Sequence, residues 1–464
     1  MRYISTRGQA PVLSFEEVML TGLARDGGLY VPEVVPTLTD ADFTALKTAS
    51  YEEAAFIVMK PYIGDCFTDA EFREIIAAAY AGFGHPTRCP MVQLGPNDWL
   101  LELHRGPTLA FKDVALQLIG QMFDKVLSRR GERVCIVGAT SGDTGSAAME
   151  AFRGSSAVDV FFLHPHNRIS EVQRRQMTTP VEPNVHAIAL EGTFDDCQAR
   201  VKDMFNDFGF RDEIGLAAAN SINWARVLAQ VVYYVTAAVA VGAPGRAVSF
   251  SVPTGNFGDI YAGQIARRMG VPVDTLIIAT NENDILHRTM ETGAYETAGV
   301  HPTISPSMDI QVSSNFERLL FELYDQDGGA VAQLMGELNE AGRFTLSQGA
   351  LERLREGFAS ARADKAAAMA EILHWSDNAG MVLDPHTVIG IAAAREVRGD
   401  AATPMICLAT AHAAKFPDAV EEACGIRPDL PHRMADLYER DERMVVLPND
   451  LAVLEDHIRK ERRQ

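Results

Sequence analysis

Arg133-Val134-Cys135-Ile136-Val137-Gly138-Ala139-Thr140-Ser141-Gly142-Asp143-Thr144-Gly145 decides the fold class. An apolar run of strand length enters a glycine-rich loop, and Ser146 to Phe152 then reads as a helix. Strand-loop-helix units of this kind build parallel sheets, because parallel neighbours require a crossover. The loop also sets backbone N–H groups and hydroxyls at a helix N-terminus, where the macrodipole favours an anion. Alone, it is compatible with a structural turn as well as an anion site. The pattern recurs at Pro253-Thr254-Gly255-Asn256-Phe257-Gly258-Asp259, after the strand-like run 247–252 and before a helix over 260–269. Here two glycines allow close backbone approach, and successive N–H groups can cradle a phosphate without a lysine or arginine. A third strand-like run, 404–407, leads into Leu408-Ala409-Thr410-Ala411-His412-Ala413-Ala414-Lys415-Phe416, which places Thr410 at a strand's carboxyl end and opens a further helix. Neither glycine-rich loop has the GxGxxG or GxxxxGK[ST] spacing of nucleotide-binding turns.

Working outward, strand-like and helical segments alternate over 133–206 and again over 247–280, closing with 404–408. This predicts an α/β protein of two doubly wound parallel-sheet lobes, approximately 105–240 and 241–464, with a ligand crevice at the strands' carboxyl ends. Residues 1–92 read as a mostly helical N-terminal domain with an initial strand, ending where Gly82, Gly84, Pro86, Pro90, Gly95 and Pro96 cluster; residues 93–464 form the remainder. The stretch 315–375 is helix-rich, with Phe316, Leu319, Leu320 and Leu323 at helical spacing on a core face.

A chain of 464 residues with 47% hydrophobic content can bury sizeable cores. The formal charge of −20 argues against nucleic acid or an anionic membrane as partner, and it requires any anionic ligand to meet locally concentrated donors. Six cysteines form no CxxC pair, which suits a reducing cytoplasm and no structural zinc; no HExxH pattern is present. The N-terminus shows no apolar signal region. The uncharged stretch 227–243 reads as a buried helix, with Ser221 and Asn223 as start residues.

The chemistry centres on His104-Arg105-Gly106-Pro107-Thr108-Leu109-Ala110-Phe111-Lys112-Asp113, where one lysine follows a turn between an aromatic and a carboxylate. An apolar setting removes ammonium solvation and favours the neutral amine, which can condense with the aldehyde of pyridoxal phosphate.

Together these segments resemble threonine synthase, a pyridoxal-phosphate enzyme of the tryptophan-synthase-β structural group, in its longer microbial and fungal branch. The resemblance runs nearly end to end. It includes Tyr3-Ile4-Ser5-Thr6-Arg7-Gly8, Asp26-Gly27-Gly28-Leu29-Tyr30-Val31-Pro32, Asn220-Ser221-Ile222-Asn223-Trp224-Ala225-Arg226, Ser305-Pro306-Ser307-Met308-Asp309-Ile310 and Ser313-Ser314-Asn315-Phe316-Glu317-Arg318. Two positions depart from the family pattern: His104-Arg105 stands where Phe-His is expected, and Asp143 where many relatives outside this branch carry Asn.

The resemblance implies a fold type II pyridoxal-phosphate lyase with the cofactor between the lobes. It would convert O-phospho-L-homoserine and water to L-threonine and phosphate, the last step of threonine biosynthesis. It implies Lys112 as cofactor anchor and proton shuttle, Gly255, Asn256, Phe257 and Asp259 around the cofactor phosphate, and Thr410 facing the pyridine nitrogen. Lys415, then Arg105, with Ser141 and Thr144, are the candidates for the substrate phosphate; Asp143 receives no ligand-binding role. Two other readings stay open: a phospho-lyase giving 2-oxobutyrate would share every cofactor residue, whereas a non-catalytic protein that keeps the fold for binding is expected to have lost Lys112 or the phosphate loop, and both are present. A serine or threonine dehydratase accounts less well for the N-terminal segment.

Overall fold

Strands buried on both faces are mainly apolar; Val158–Pro165 and Val248–Pro253 are buried at every position, including Asp159, His164, Ser249 and Ser251. Each lies inside its own parallel sheet. The computed structural model describes residues 1–217 and 221–463; Asn220 of the motif above lies outside them. The chain divides into two compact units.

The larger unit takes residues 1–76, 84–105 and 221–428. Its six-stranded sheet runs in the order Phe358–Arg362, Val273–Thr280, Val248–Pro253, Met405–Ala409, Asp98–Glu102, Met91–Gly95. All neighbours are parallel except the last pair, an antiparallel hairpin. The chain leaves Val248–Pro253 for Val273–Thr280 on one side, while Met405–Ala409 occupies the other side. Connections therefore diverge between these two adjacent strands, the switch point at which open α/β sheets bind ligands. The loop 254–257 and the segment 410–416 leave the sheet at this point.

The N-terminal residues belong to this unit by packing. Tyr3–Ser5 pairs antiparallel with Tyr30–Pro32, and capping boxes start the helices Phe15–Thr21, Asp40–Leu46 and Tyr51–Ile63. Tyr3 and Tyr62 both lie against Trp224, which opens the buried helix Trp224–Ala240.

The smaller unit takes residues 77–83 and 106–217 together with the chain from 429 to 463, as far as it is described. Its sheet is parallel throughout, in the order Val445–Pro448, Val185–Glu191, Val158–Pro165, Val134–Ala139, Leu216–Ala217. The helix Lys112–Arg130 packs against Asp143–Phe152.

The units thus cross the boundaries expected from sequence. Residues 1–76 join 221–428 through aromatic packing, and the C-terminal residues return to the smaller sheet through Val445–Pro448 and the helix Leu451–Glu461, whose Leu454 and Ile458 enter that core. Near residue 92 the Gly/Pro-rich region enters the hairpin Met91–Gly95/Asp98–Glu102. The segment after Met405–Ala409 begins with a 3₁₀ turn, Ala413–Lys415, before the helix Pro417–Cys424.

Contact between Lys112–Arg130 and Asp143–Phe152 is close enough to need glycine. A Cβ at Gly120 would lie 2.2 Å from the Ala151 carbonyl oxygen. Gly120→Ala should lower the urea midpoint of the protein, because overpacking costs about 1–3 kcal/mol and outweighs the ~1 kcal/mol or less gained in helix propensity.

Candidate active site

In the smaller unit, Lys112 is itself the first residue of its helix. The preceding turn is held from within. Thr108 donates from its N–H to Asp113 Oδ2 at 2.8 Å and from its hydroxyl to Oδ1 at 2.6 Å. A Cβ at Gly106 would come within 2.4 Å of the Asp113 Cβ, so glycine is required there. The carboxylate following Lys112 therefore clasps the Gly-Pro-Thr turn. The carboxylate that meets the amine is Asp143, with Lys112 Nζ 3.1 Å from Oδ2. Its other oxygen accepts from Gln173 Nε2 at 2.9 Å. Phe111 supplies the aromatic neighbour, its ring centroid 4.8 Å from Nζ.

Two expectations are corrected here. The setting of Lys112 is a buried ion pair, not an apolar wall, and Asp143, left without a role, is the residue it reaches. The sequence placed Asp143 in an anion loop, where a carboxylate is unfavourable; the pairing spans 31 residues and has no local signature.

Thr140 shapes the loop, its hydroxyl accepting from the N–H groups of Gly142 and Gly145 at 2.9 Å each. Gly142 has φ of +134°, and a Cβ there would lie 2.3 Å from Gln173. The helix starts at Asp143, earlier than the sequence suggests, so Thr144 falls in its first turn. Ser141 and Thr144 flank the buried pair Gly142 and Asp143, and both are half-buried.

In the larger unit, the loop after Val248–Pro253 is fixed by residues far along the chain. The Asn256 carbonyl accepts from Asn315 N at 3.0 Å and from Asn315 Nδ2 at 2.9 Å, and the Gly255 carbonyl accepts from Ser313 Oγ at 2.6 Å. A Cβ at Gly255 would sit 2.9 Å from the Ser307 carbonyl oxygen. Phe257 adopts φ of +63°, a left-handed conformation that only surrounding contacts can hold in a bulky residue. Gly258 begins the helix Gly258–Arg268, whose first turn leaves N–H groups without intrahelical acceptors.

Asp259 follows in the first turn of this helix. Its carboxylate turns to the helix Trp224–Ala240 and accepts from the hydroxyls of Tyr233 and Tyr234, the latter at 2.9 Å. Burial first, then the Asp259 charge, pushes both tyrosine pKa values well up, so these hydroxyls stay donors.

Thr410 is buried immediately beyond Met405–Ala409. Lys415 closes the 3₁₀ turn and is fully buried, with no solvated face. His412 accepts from the Ala414 N–H and meets the His104 ring edge-on at 5.3 Å. Arg105 is engaged by Glu102, donating from Nε at 2.8 Å, so its charge is already met by a carboxylate three residues away.

One cation was missed. Arg226 is buried, and its Nη1 has no hydrogen-bond partner among the described residues. Burial pushes its pKa down to about 10, still charged at neutral pH. Its segment adjoins the loop, because Asn315 Nδ2 bridges the Asn256 and Ser221 carbonyls at 2.9 and 3.1 Å. A buried guanidinium lacking an anion is costly unless a ligand supplies one. The sequence showed Arg226 inside a motif, but only burial distinguishes it from a surface arginine.

The donors suit pyridoxal 5′-phosphate: a buried amine for its aldehyde, a glycine loop at a helix N-terminus for its phosphate, and a buried hydroxyl beyond a neighbouring strand. Comparison with known proteins agrees. The family described as Threonine synthase N terminus matches residues 2–80, Pyridoxal-phosphate dependent enzyme matches 87–337, and Threonine synthase, C-terminal matches 387–458. A threonine synthase of Pseudomonas aeruginosa is 54% identical over 97% of each chain. A crystal structure of PLP-bound threonine synthase from Brucella melitensis superposes with a TM-score of 0.98 at 53% identity, covering 100% of both chains. The yeast threonine synthase structure gives 0.94 at 37% identity, covering 99% of this chain and 98% of that one. The chain belongs to the threonine synthase family of pyridoxal-phosphate-dependent enzymes.

Proposed function

We propose that the chain converts O-phospho-L-homoserine and water to L-threonine and inorganic phosphate, by γ-elimination followed by β-addition. The observation that carries this is the amine of Lys112, buried at a helix start beside Asp143, a carboxylate able to take the proton that the amine must lose to act as nucleophile or base. Pyridoxal phosphate supplies the electron sink that stabilises charge developing on the substrate carbons. The remaining work falls to side chains.

Lys112 would anchor the cofactor through its amine and, as a free amine beside the substrate, would remove and return protons at Cα, Cβ and Cγ. Asp143, itself held by Gln173, keeps the amine in place between these transfers. Backbone N–H groups of Gly255, Asn256, Phe257 and Asp259 would hold the cofactor phosphate, and Thr410 would offer the pyridine nitrogen a neutral hydroxyl. Such a hydroxyl stabilises a pyridinium less than a carboxylate does, which moderates the electron sink. For the substrate phosphate we favour Arg226 and Lys415, both buried, over Arg105, which Glu102 occupies. Ser141 and Thr144 add hydroxyls at a helix N-terminus.

The six cysteines form no disulfide, which supports a reducing cytoplasmic setting. Among the described residues no helix is long and apolar enough to cross a membrane.

Incubation with O-phospho-L-homoserine should yield L-threonine and phosphate in equal amounts; 2-oxobutyrate as the sole organic product would show a phospho-lyase instead. Borohydride should fix the cofactor to the peptide bearing Lys112, and trapping elsewhere refutes the anchor. Thr410→Ala should lower turnover strongly while costing about 0.5–1.5 kcal/mol of stability at most; full activity in this variant would remove Thr410 from the cofactor. Arg226→Gln and Lys415→Ala should each raise KM roughly ten- to a hundredfold, the worth of a charge-assisted bond to phosphate, with the cofactor's visible band intact. Arg105→Ala should change KM little, and the reverse ranking would move the phosphate clamp to Arg105.

A further inference from the structure

Asp384 precedes the helix Pro385–Val397 and caps it, but its hydrogen bonds go further than a cap requires. Oδ1 accepts from the His386 backbone N–H and from ring Nδ1, both at 2.9 Å. Oδ2 accepts from the N–H and hydroxyl of Thr387. With the ring proton on Nδ1, Nε2 is an acceptor, and it receives the Ser307 N–H at 3.3 Å. Both side chains are buried. The imidazole thus spends its second bond outside its own helix.

What it grips bears on both halves of the larger unit's site. The Ser307 carbonyl packs against Gly255, where a Cβ would lie 2.9 Å away. The next turn of this segment is tied to the end of Val273–Thr280, because Asp309 accepts from Asn281, Asn283 and Thr303. The ring of His386 meets that of Phe416 at 4.7 Å, directly after the turn that carries Lys415. One imidazole therefore touches the wall of the loop 254–258 and the end of the segment 410–416.

We propose that Asp384 and His386 form a positioning dyad that sets the spacing between these two segments and thereby the cofactor's phosphate and pyridine ends. The proposal rests on the reading of 254–258 as the phosphate cradle and Thr410 as the ring partner. Asp384 fixes the imidazole's tautomer and angle; His386 transmits that position to Ser307 on one side and Phe416 on the other.

The test pairs two substitutions. His386→Asn keeps a donor toward Asp384 and loses the acceptor toward Ser307, while His386→Gln puts an amide oxygen near the place of Nε2. Pyridoxal phosphate titrated into the apoprotein should bind the Asn variant roughly tenfold more weakly, the worth of one buried hydrogen bond. Hydrogen exchange in that variant should quicken in peptides covering 253–259 and 305–310 and stay unchanged over 158–165; the Gln variant should restore both. Phe416→Leu tests the other ring face, with the same expected loss of cofactor affinity. Wild-type protein that takes up no cofactor would overturn the functional reading and the dyad with it. Wild-type binding together with unaltered affinity in the Asn and Leu variants would overturn the dyad alone. A lowered melting temperature with uniformly faster exchange and unchanged affinity would do the same, reducing His386 to a core residue.

Discussion

Asn315 is the constraint on which the larger unit's site depends. One buried side-chain amide donates to the carbonyls of Asn256 and Ser221, while its backbone N–H donates to Asn256 as well. Phe257 is thereby kept in a left-handed conformation that a free chain abandons, at a cost of about 1–3 kcal/mol. The same stretch reaches the N-terminal strands. Glu317 takes two bonds from the Arg7 guanidinium, at 3.1 and 3.0 Å, and one from the Thr6 hydroxyl at 2.6 Å. Arg318 donates to the Tyr30 carbonyl at 3.1 Å. Four motifs widely separated in sequence therefore form one body behind the loop.

Charge management is the second theme. A protein of net charge −20 must still receive two phosphate groups in its proposed reaction. Two carboxylates sit in first turns where an anion would otherwise be favoured, and each is answered from outside the loop: Asp143 by Lys112 and Gln173, Asp259 by two tyrosine hydroxyls. Their repulsion toward a bound anion is reduced by short-range donors. Helix N-termini and the buried Arg226 then provide attraction that the net field does not.

Within the larger unit, the sheet explains why its loop and Thr410 lie close together. In a parallel sheet every connecting loop of one kind emerges at the same edge, and the divergence between Val248–Pro253 and Met405–Ala409 opens space beside two adjacent strand ends. The hairpin strand Asp98–Glu102 extends this sheet beyond Met405–Ala409 and delivers Leu103, whose N–H donates to the Ala409 carbonyl at 3.0 Å, beside Thr410.

The sequence by itself determined the strand-loop-helix units, the parallel sheets, the lysine and the two glycine loops, because periodicity and glycine spacing are local and act within a few residues. It also carried the family through motifs whose physical purpose it did not reveal. Only the tertiary structure decided which carboxylate meets Lys112, that Asp259 faces tyrosines, that Arg226 is buried with its Nη1 lacking a hydrogen-bond partner among the described residues, and that Arg105 is already paired. It also decided that residues 1–76 pack with 221–428 and that the C-terminal strand returns to the smaller sheet. These outcomes depend on contacts across tens to hundreds of residues. Burial and long-range hydrogen bonding fix them, and neither leaves a periodic trace in the chain.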